Sequence, residues 1–148
     1  MSLAQQLQFD RSFDLPADRV FDALTEGPHL ARWFCDECES EPRLDGRLVM
    51  RWTRSGASAE DFVARWWRFE PAVAASFQGG HRGYPDGDAG LVEFLLARGE
   101  GITHLSVRHS LPDTASYEPI ANRYRETWPR ALARLTEYLN STTPTRTA

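Results

Sequence analysis

The chain has 148 residues, 41% apolar and 26% charged, with five Trp, eight Phe and four Tyr, which is the composition of one folded domain and not of a disordered segment. Seventeen basic residues against 21 acidic ones leave a formal charge of −4, so neither nucleic acid nor an anionic membrane surface is attracted by the chain as a whole. Every basic residue is Arg, which excludes chemistry that needs a lysine: Schiff bases, pyridoxal-phosphate anchoring and Walker-type phosphate loops.

From Leu7 the alternation of Leu7, Phe9 and Phe13 with Gln6, Gln8, Asp10 and Ser12 predicts a half-buried strand. Pro16 suits a first helical turn, Asp18 favours a helix N-terminus, and Val20, Phe21 and Leu24 follow at helical spacing. Gly27 and Pro28 end that helix, and a second short one from about Pro28 to Phe34 presents Leu30, Trp33 and Phe34 as an apolar edge. The acidic stretch Cys35 to Glu41 reads as a solvated loop. A turn at Asp45-Gly46 then leads into a strand from Arg47 to Thr53, with Leu48, Met50 and Trp52 on one face. Phe62 to Phe69 is strand-like, and its adjacent Trp66 and Trp67 point to opposite faces without revealing which is the inner one. Val73 to Phe77 predicts a weak strand and Gly79 to Gly90 a long mobile loop. Leu91 to Leu96 and Thr103 to His109 form a hairpin about Gly99-Glu100-Gly101.

The strongest periodicity is C-terminal: Tyr117, Ile120, Tyr124, Trp128, Ala131, Leu132, Leu135, Tyr138 and Leu139 fall within about a third of a helical circumference. Pro129 either kinks this helix or restarts it, with Thr127 as a cap. The polar tail 141–148 reads as disordered, leaving 1–140 as a single domain. No apolar run approaches the roughly 20 residues of a membrane span, and the N-terminus lacks the basic start and apolar stretch of a secretory signal. A cytoplasmic protein is the expectation. The order of one strand, two short helices, about six strands and a long amphipathic helix is an α+β arrangement, with the helix laid across a largely antiparallel sheet.

Four stretches carry a family resemblance. They are Pro16-Ala17-Asp18-Arg19-Val20-Phe21-Asp22-Ala23-Leu24-Thr25 with His29, Leu30 and Trp33; Asp45-Gly46-Arg47-Leu48; Gly101-Ile102-Thr103-His104-Leu105-Ser106-Val107-Arg108-His109-Ser110; and Trp128 with Leu132, Leu135 and Leu139. Together they resemble the activator of heat-shock-protein-90 ATPase-like branch of the START (SRPBCC, birch-pollen-allergen-like) superfamily. Asp45 stands where that family usually has Gly, and Thr127 where Gly usually precedes the Trp. The resemblance implies a helix-grip fold, a curved antiparallel sheet wrapped around the long C-terminal helix with a cavity between them. Relatives of that fold bind lipids, hormones or polyketides.

The side chains expected around such a cavity are Met50, Trp52, Trp66, Phe94, Val107 and His109 from the sheet and Tyr124 and Trp128 from the helix, with Trp33 at an entrance. His109 shares the inward face with Leu105 and Val107, where it either orients a ligand carbonyl and moves protons or is a core histidine satisfied by one hydrogen bond. Cys35 and Cys38 form a single CxxC after a helix, read as reduced thiols and not as a metal or redox site. The first expectation is a small-molecule binding protein for an apolar or aromatic ligand, needing no cofactor or metal. The alternatives are an interaction module, chaperone-facing or homodimeric, and a cyclase- or hydrolase-like enzyme using His109 or Tyr124 for proton transfer.

Overall fold

The computed structural model describes residues 5–52, 61–81, 90–112 and 115–142. In chain order the elements are β1 (Gln5–Phe13), α1 (Ala17–Thr25), α2 (Gly27–Trp33), β2 (Glu37–Ser40), β3 (Arg47–Arg51), β4 (Phe62–Glu70), β5 (Ala74–His81), β6 (Gly90–Arg98) and β7 (Thr103–Leu111). A 3-10 turn at Ala115–Tyr117 then opens α3 (Glu118–Thr142). The strands form one seven-stranded sheet in the order β1-β7-β6-β5-β4-β3-β2, antiparallel throughout. This is the α+β helix-grip arrangement expected from the sequence, with α3 along the inner face of the sheet and α1 and α2 beside one end of it.

Alternation decides which side chains face inward. Thr103, Leu105, Val107, His109 and Leu111 of β7 are all buried, as are Val92 and Phe94 of β6 and Phe62, Ala64 and Trp66 of β4. Strand register lines these residues into rows across the sheet. One row is Leu7, His109, Val92, Phe77 and Trp66; a second is Phe9, Val107, Phe94 and Ala75; a third is Gly90, Gly79, Ala64 and Leu48. Trp128, Ala131, Leu132, Leu135 and Leu139 of α3 are buried in the main core, the i, i+3, i+4 face that the periodicity indicated.

The structure corrects four local readings. Glu37–Ser40 is a strand and not part of a solvated loop, because Cys38 pairs with Met50 and Ser40 with Leu48 while the alternate carboxylates meet a cation. Glu37 and Glu39 approach the Arg51 guanidinium at 4.0 and 3.8 Å, and Asp61 accepts from its Nε at 2.8 Å. Gly79 and Gly90 are paired strand residues and not loop ends, while 82–89 lie outside the described residues. A Cβ on Gly79 would stand 2.1 Å from the Val63 carbonyl oxygen, so only glycine permits this approach of β5 to β4. The helix is also continuous through Pro129; Thr127 is no cap, and its hydroxyl donates to the Arg123 carbonyl at 2.9 Å, one turn back. Finally, α3 extends to Thr142, two residues into the stretch read as a tail, and 143–148 lie outside the described residues.

The adjacent tryptophans are resolved by a bulge. Pairing shifts between Trp66 and Arg68, which leaves Trp66 inside at 1% exposure and Trp67 outside at 68%. Asp45, in the turn before β3, has φ +63°, which explains why a residue that tolerates the left-handed region replaces the family's usual glycine. Ala72, between β4 and β5, takes φ +64° without that tolerance. Among the described residues no helix is long and apolar enough to cross a membrane.

Candidate functional site

The inner face divides into two ends. At the α2 end aromatic rings fill the space between sheet and helix. Phe34 stacks on Trp128 with centroids 5.2 Å apart, Phe94 meets Trp128 edge-on at 6.2 Å, and Phe77 lies 6.0 Å from Phe94 and 5.7 Å from Trp66. Several of the expected cavity residues belong to this packed region, including Trp33, Met50, Trp66, Phe94 and Val107, none more than 1% exposed. Their polar atoms are committed to the fold. The Trp66 indole donates to Ser40 Oγ at 3.1 Å, and that hydroxyl donates to the Thr25 carbonyl at 2.7 Å. Trp33 is therefore not at an entrance: it is 1% exposed, its indole donates to the Ala23 carbonyl at 2.8 Å, and the Trp33 carbonyl accepts from Arg134 Nε at 2.9 Å.

The other end is built around His109. β7 carries this ring inward at 3% exposure, and α3 brings Trp128 to it, whose indole N–H donates to His109 Nδ1 at 3.0 Å. An Nδ1 that accepts a hydrogen bond leaves the proton of the neutral ring on Nε2, a tautomer assigned from that contact. Burial disfavours the charged ring and pushes its pKa down to about 3. The Tyr124 ring lies 4.3 Å from the imidazole, centroid to centroid. On the Nε2 side stands Gly90, where a Cβ would be 3.5 Å from Nε2 and 3.5 Å from Leu111 Cδ2. Among the described residues no second hydrogen bond to the ring is found, and Nε2 is not one of the enclosed polar atoms left without a partner, which are Ser76 Oγ and Arg108 Nε. Tyr124 and Trp52 are half-buried, and the Trp52 indole donates to the Phe34 carbonyl at 2.7 Å.

His109, Tyr124 and Trp128 thus form one contact group, while Trp33, Phe94, Trp66 and Trp128 belong to the ring cluster linked through Phe34 and Phe77. Sequence reasoning passed over Phe34, Phe62 and Phe77 as site neighbours, although Phe62-Ala64-Trp66 and Ala75-Phe77-Gly79 both alternate. It also missed Gly90, whose role depends on a partner 19 residues along the chain. A groove of about 230 Å³ runs on the outer face between Arg47, Arg65, Trp67 and Gln78, with Trp66 in its lining and His109, Tyr124 and Trp128 outside it.

The CxxC is not in solvent either. Cys35 is 7% exposed in the main core and Cys38 is half-buried on β2. The Cys35 Sγ donates to the Leu30 carbonyl at 3.6 Å; the neighbouring Cys38 thiol and burial push the Cys35 pKa up, and the Cys35 thiol pulls that of Cys38 down. Among the described residues no group of three or more His, Cys, Asp or Glu side chains is placed to hold a metal ion.

Residues 14–140 match the family model described as Activator of Hsp90 ATPase homolog 1-like protein. The chain belongs to this family. Structures similar to this member include protein MLL2253 from Mesorhizobium loti, with 18% identity, TM-score 0.81, and coverage of 94% of this chain and 99% of that one. A protein from Rhodobacter sphaeroides gives 22% identity and TM-score 0.80, covering 95% of each chain. PFC0360w, described as an HSP90 activator from Plasmodium falciparum, gives 16% identity and TM-score 0.76, covering 93% of this chain and 97% of that one. At these identities the likeness is one of fold. Among curated proteins no relative matches the chain.

Proposed function

We propose that this member of the Activator of Hsp90 ATPase homolog 1-like family binds a small, neutral, largely apolar or aromatic ligand at the His109 end of the space between sheet and α3. The observation that carries this reading is the imidazole itself: buried, neutral, its Nδ1 engaged by Trp128 and its Nε2–H turned to Gly90 without a partner among the described residues. A ligand carbonyl placed at Nε2 gains one neutral hydrogen bond, worth roughly 0.5–1.5 kcal/mol net. Half-buried Tyr124, its ring 4.3 Å from the imidazole, supplies apolar surface beside this polar handle, the usual chemistry of a small-molecule site. A ring with a pKa of about 3 is a poor base at neutral pH, which favours binding over the cyclase- or hydrolase-like alternative.

The test compares 2-acetonaphthone with naphthalene, followed by quenching of tryptophan fluorescence. The wild-type chain prefers the ketone by about 2- to 10-fold, the worth of one neutral hydrogen bond, and His109→Phe loses that preference while still binding naphthalene. Equal affinities in the wild type, or an unchanged preference in the variant, would refute the assignment. A second reading is stimulation of an Hsp90-type ATPase, supported by the family match and by the activator whose chain is covered almost end to end. Purified Hsp90 turning over ATP at the same rate with and without a molar excess of this chain would dismiss it.

A further inference from the structure

The seam between α2 and α3 brings together a carboxylate, an imidazole and a phenol. Glu26 ends α1 and opens α2, and its carbonyl accepts from the His29 and Leu30 N–H groups at 3.1 and 2.9 Å, which sets its side chain one turn before His29. Glu26 Oε1 stands 3.5 Å from His29 Nε2. On the other side of the ring His29 Nδ1 is 2.5 Å from Tyr138 Oη, which α3 supplies from far along the chain. An ionised carboxylate only accepts, so it holds the proton of the neutral ring on Nε2 and leaves Nδ1 to accept from the Tyr138 hydroxyl, a tautomer assigned from these contacts. Arg32, one turn further along α2, places its guanidinium carbon 5.8 Å from the Tyr138 ring centroid, a cation beside the ring that gains negative charge when its proton leaves. The seam is open to solvent: the His29 and Glu26 side chains are 38% and 45% exposed, and Tyr138 is half-buried. Carboxylate, imidazole and hydroxyl in that order are the arrangement that activates an oxygen nucleophile.

We propose that Glu26, His29 and Tyr138 form a nucleophilic site that takes an acyl group from an activated aryl ester onto Tyr138 Oη. Oη attacks the ester carbonyl carbon, and His29 Nδ1 takes the phenol proton as the new O–C bond forms. The tetrahedral centre then collapses: the bond from the carbonyl carbon to the aryl oxygen breaks, its electron pair goes to that oxygen, and the proton passes from His29 to the departing oxide. One tyrosine and one aryl ester become one acyl-tyrosine and one phenol, with nothing oxidised or reduced. Tyr138 is the nucleophile, His29 its general base, and Glu26 a positioning residue that keeps Nδ1 as the accepting nitrogen. A phenol oxygen displaces only a less basic leaving group, which restricts the donor to esters of acidic phenols and excludes alkyl esters. The site shares no residue with the His109 ligand reading and is independent of it.

The experiment gives the full chain p-nitrophenyl acetate at neutral pH, follows the release of p-nitrophenol, and locates acetyl groups by mass in the tryptic peptide Leu135–Arg146, whose only tyrosine is Tyr138. Expected is an acetyl group on Tyr138 that appears in the same phase as one equivalent of p-nitrophenol. Tyr138→Phe keeps the ring beside His29 and Arg32 and loses that phase. His29→Gln slows acetylation of Tyr138 by about 10²-fold, the lower end of what a positioned base contributes. Glu26→Ala slows it several-fold and lets the second His29 tautomer appear in the ¹⁵N spectrum, which loss of packing alone would not do. Should a variant fail to fold, the wild type decides, with Tyr138 acetylated faster in the folded chain than in urea, the opposite of what partial burial alone gives. Acetyl groups confined to other residues, an unchanged phase in Tyr138→Phe, or equal Tyr138 rates in the wild type and folded His29→Gln would each overturn the proposal.

Discussion

The two ends of the sheet's inner face are made by the same strands and the same helix, yet they are filled in opposite ways. At the α2 end Phe34, Phe94, Trp128, Phe77 and Trp66 touch one another in an unbroken chain of rings. At the His109 end the imidazole borders Gly90, which pairs with Gly79, so glycines stand beside the ring where the other end has aromatic side chains, and the ring brings a polar donor with it. Density of packing is what stabilises a domain, while a recognition site needs a wall left low and a polar group left over. The contrast separates residues whose removal unfolds the chain from residues whose change alters what it holds.

The largest expected effect is at the packed end. Phe94→Ala removes a ring with 1% exposure from between Phe77 and Trp128 and should cost about 3–5 kcal/mol in urea unfolding. A loss below about 1 kcal/mol would mean that this end is not close-packed.

His109 gives the next effect, through pH. The ring titrates near 6.5 in the unfolded chain and at about 3 in the folded one, so between these values the unfolded chain takes up a proton that the folded chain refuses. Its contribution to stability therefore falls as pH drops from about 6.5 to 3 and is constant outside that window, with a limiting slope of about 1.4 kcal/mol per pH unit. The stability difference between wild type and His109→Gln should carry that slope, and parallel stability–pH curves for the two would show that His109 titrates alike in both states.

Smaller shifts are expected where backbone geometry dominates. Ala72→Gly relieves a left-handed alanine and should raise stability by about 1 kcal/mol, read as a higher urea midpoint with unchanged slope. An unchanged or lower midpoint argues that the β4–β5 turn carries no strain. Gly90→Ala should alter stability least, since the added methyl meets the Gly79 carbonyl at 3.2 Å and His109 Nε2 at 3.5 Å, tight but short of a clash. It narrows the space in front of Nε2, so 2-acetonaphthone affinity should fall while the unfolding midpoint stays close to that of the wild type. Loss of stability without loss of affinity would place Gly90 in the packed end's logic instead.

Much of this architecture was legible before any coordinates, for a physical reason: strand alternation and helical periodicity record which face is buried. The C-terminal helix face from Tyr117 to Leu139 and the inward placement of His109 both follow from that record. What period cannot encode is a partner across the fold. The acceptor role of His109 depends on Trp128, which lies on α3, and the strand at Glu37–Ser40 depends on Met50 and Leu48 pairing with it while Arg51 neutralises its carboxylates. Glycines mislead for the same reason. Gly79 and Gly90 look like loop punctuation in one dimension and are paired strand residues in three, required by close strand approach in one case and bordering the imidazole in the other. The CxxC was read as solvated because its neighbours are acidic, whereas those acids point away from a core that takes Cys35.

The central claim is that the His109 end of the inner face is where a ligand sits. It is tested most directly by observing the imidazole itself, in a ¹⁵N-labelled chain titrated with 2-acetonaphthone and followed by NMR. The account predicts that His109 Nε2–H and the Gly90 amide shift together and saturably, with Nδ1 still unprotonated and the outer-face signals of Val63 and Trp67 unmoved. Shifts confined to that outer face, with the His109 ring unchanged at saturating probe, would contradict it.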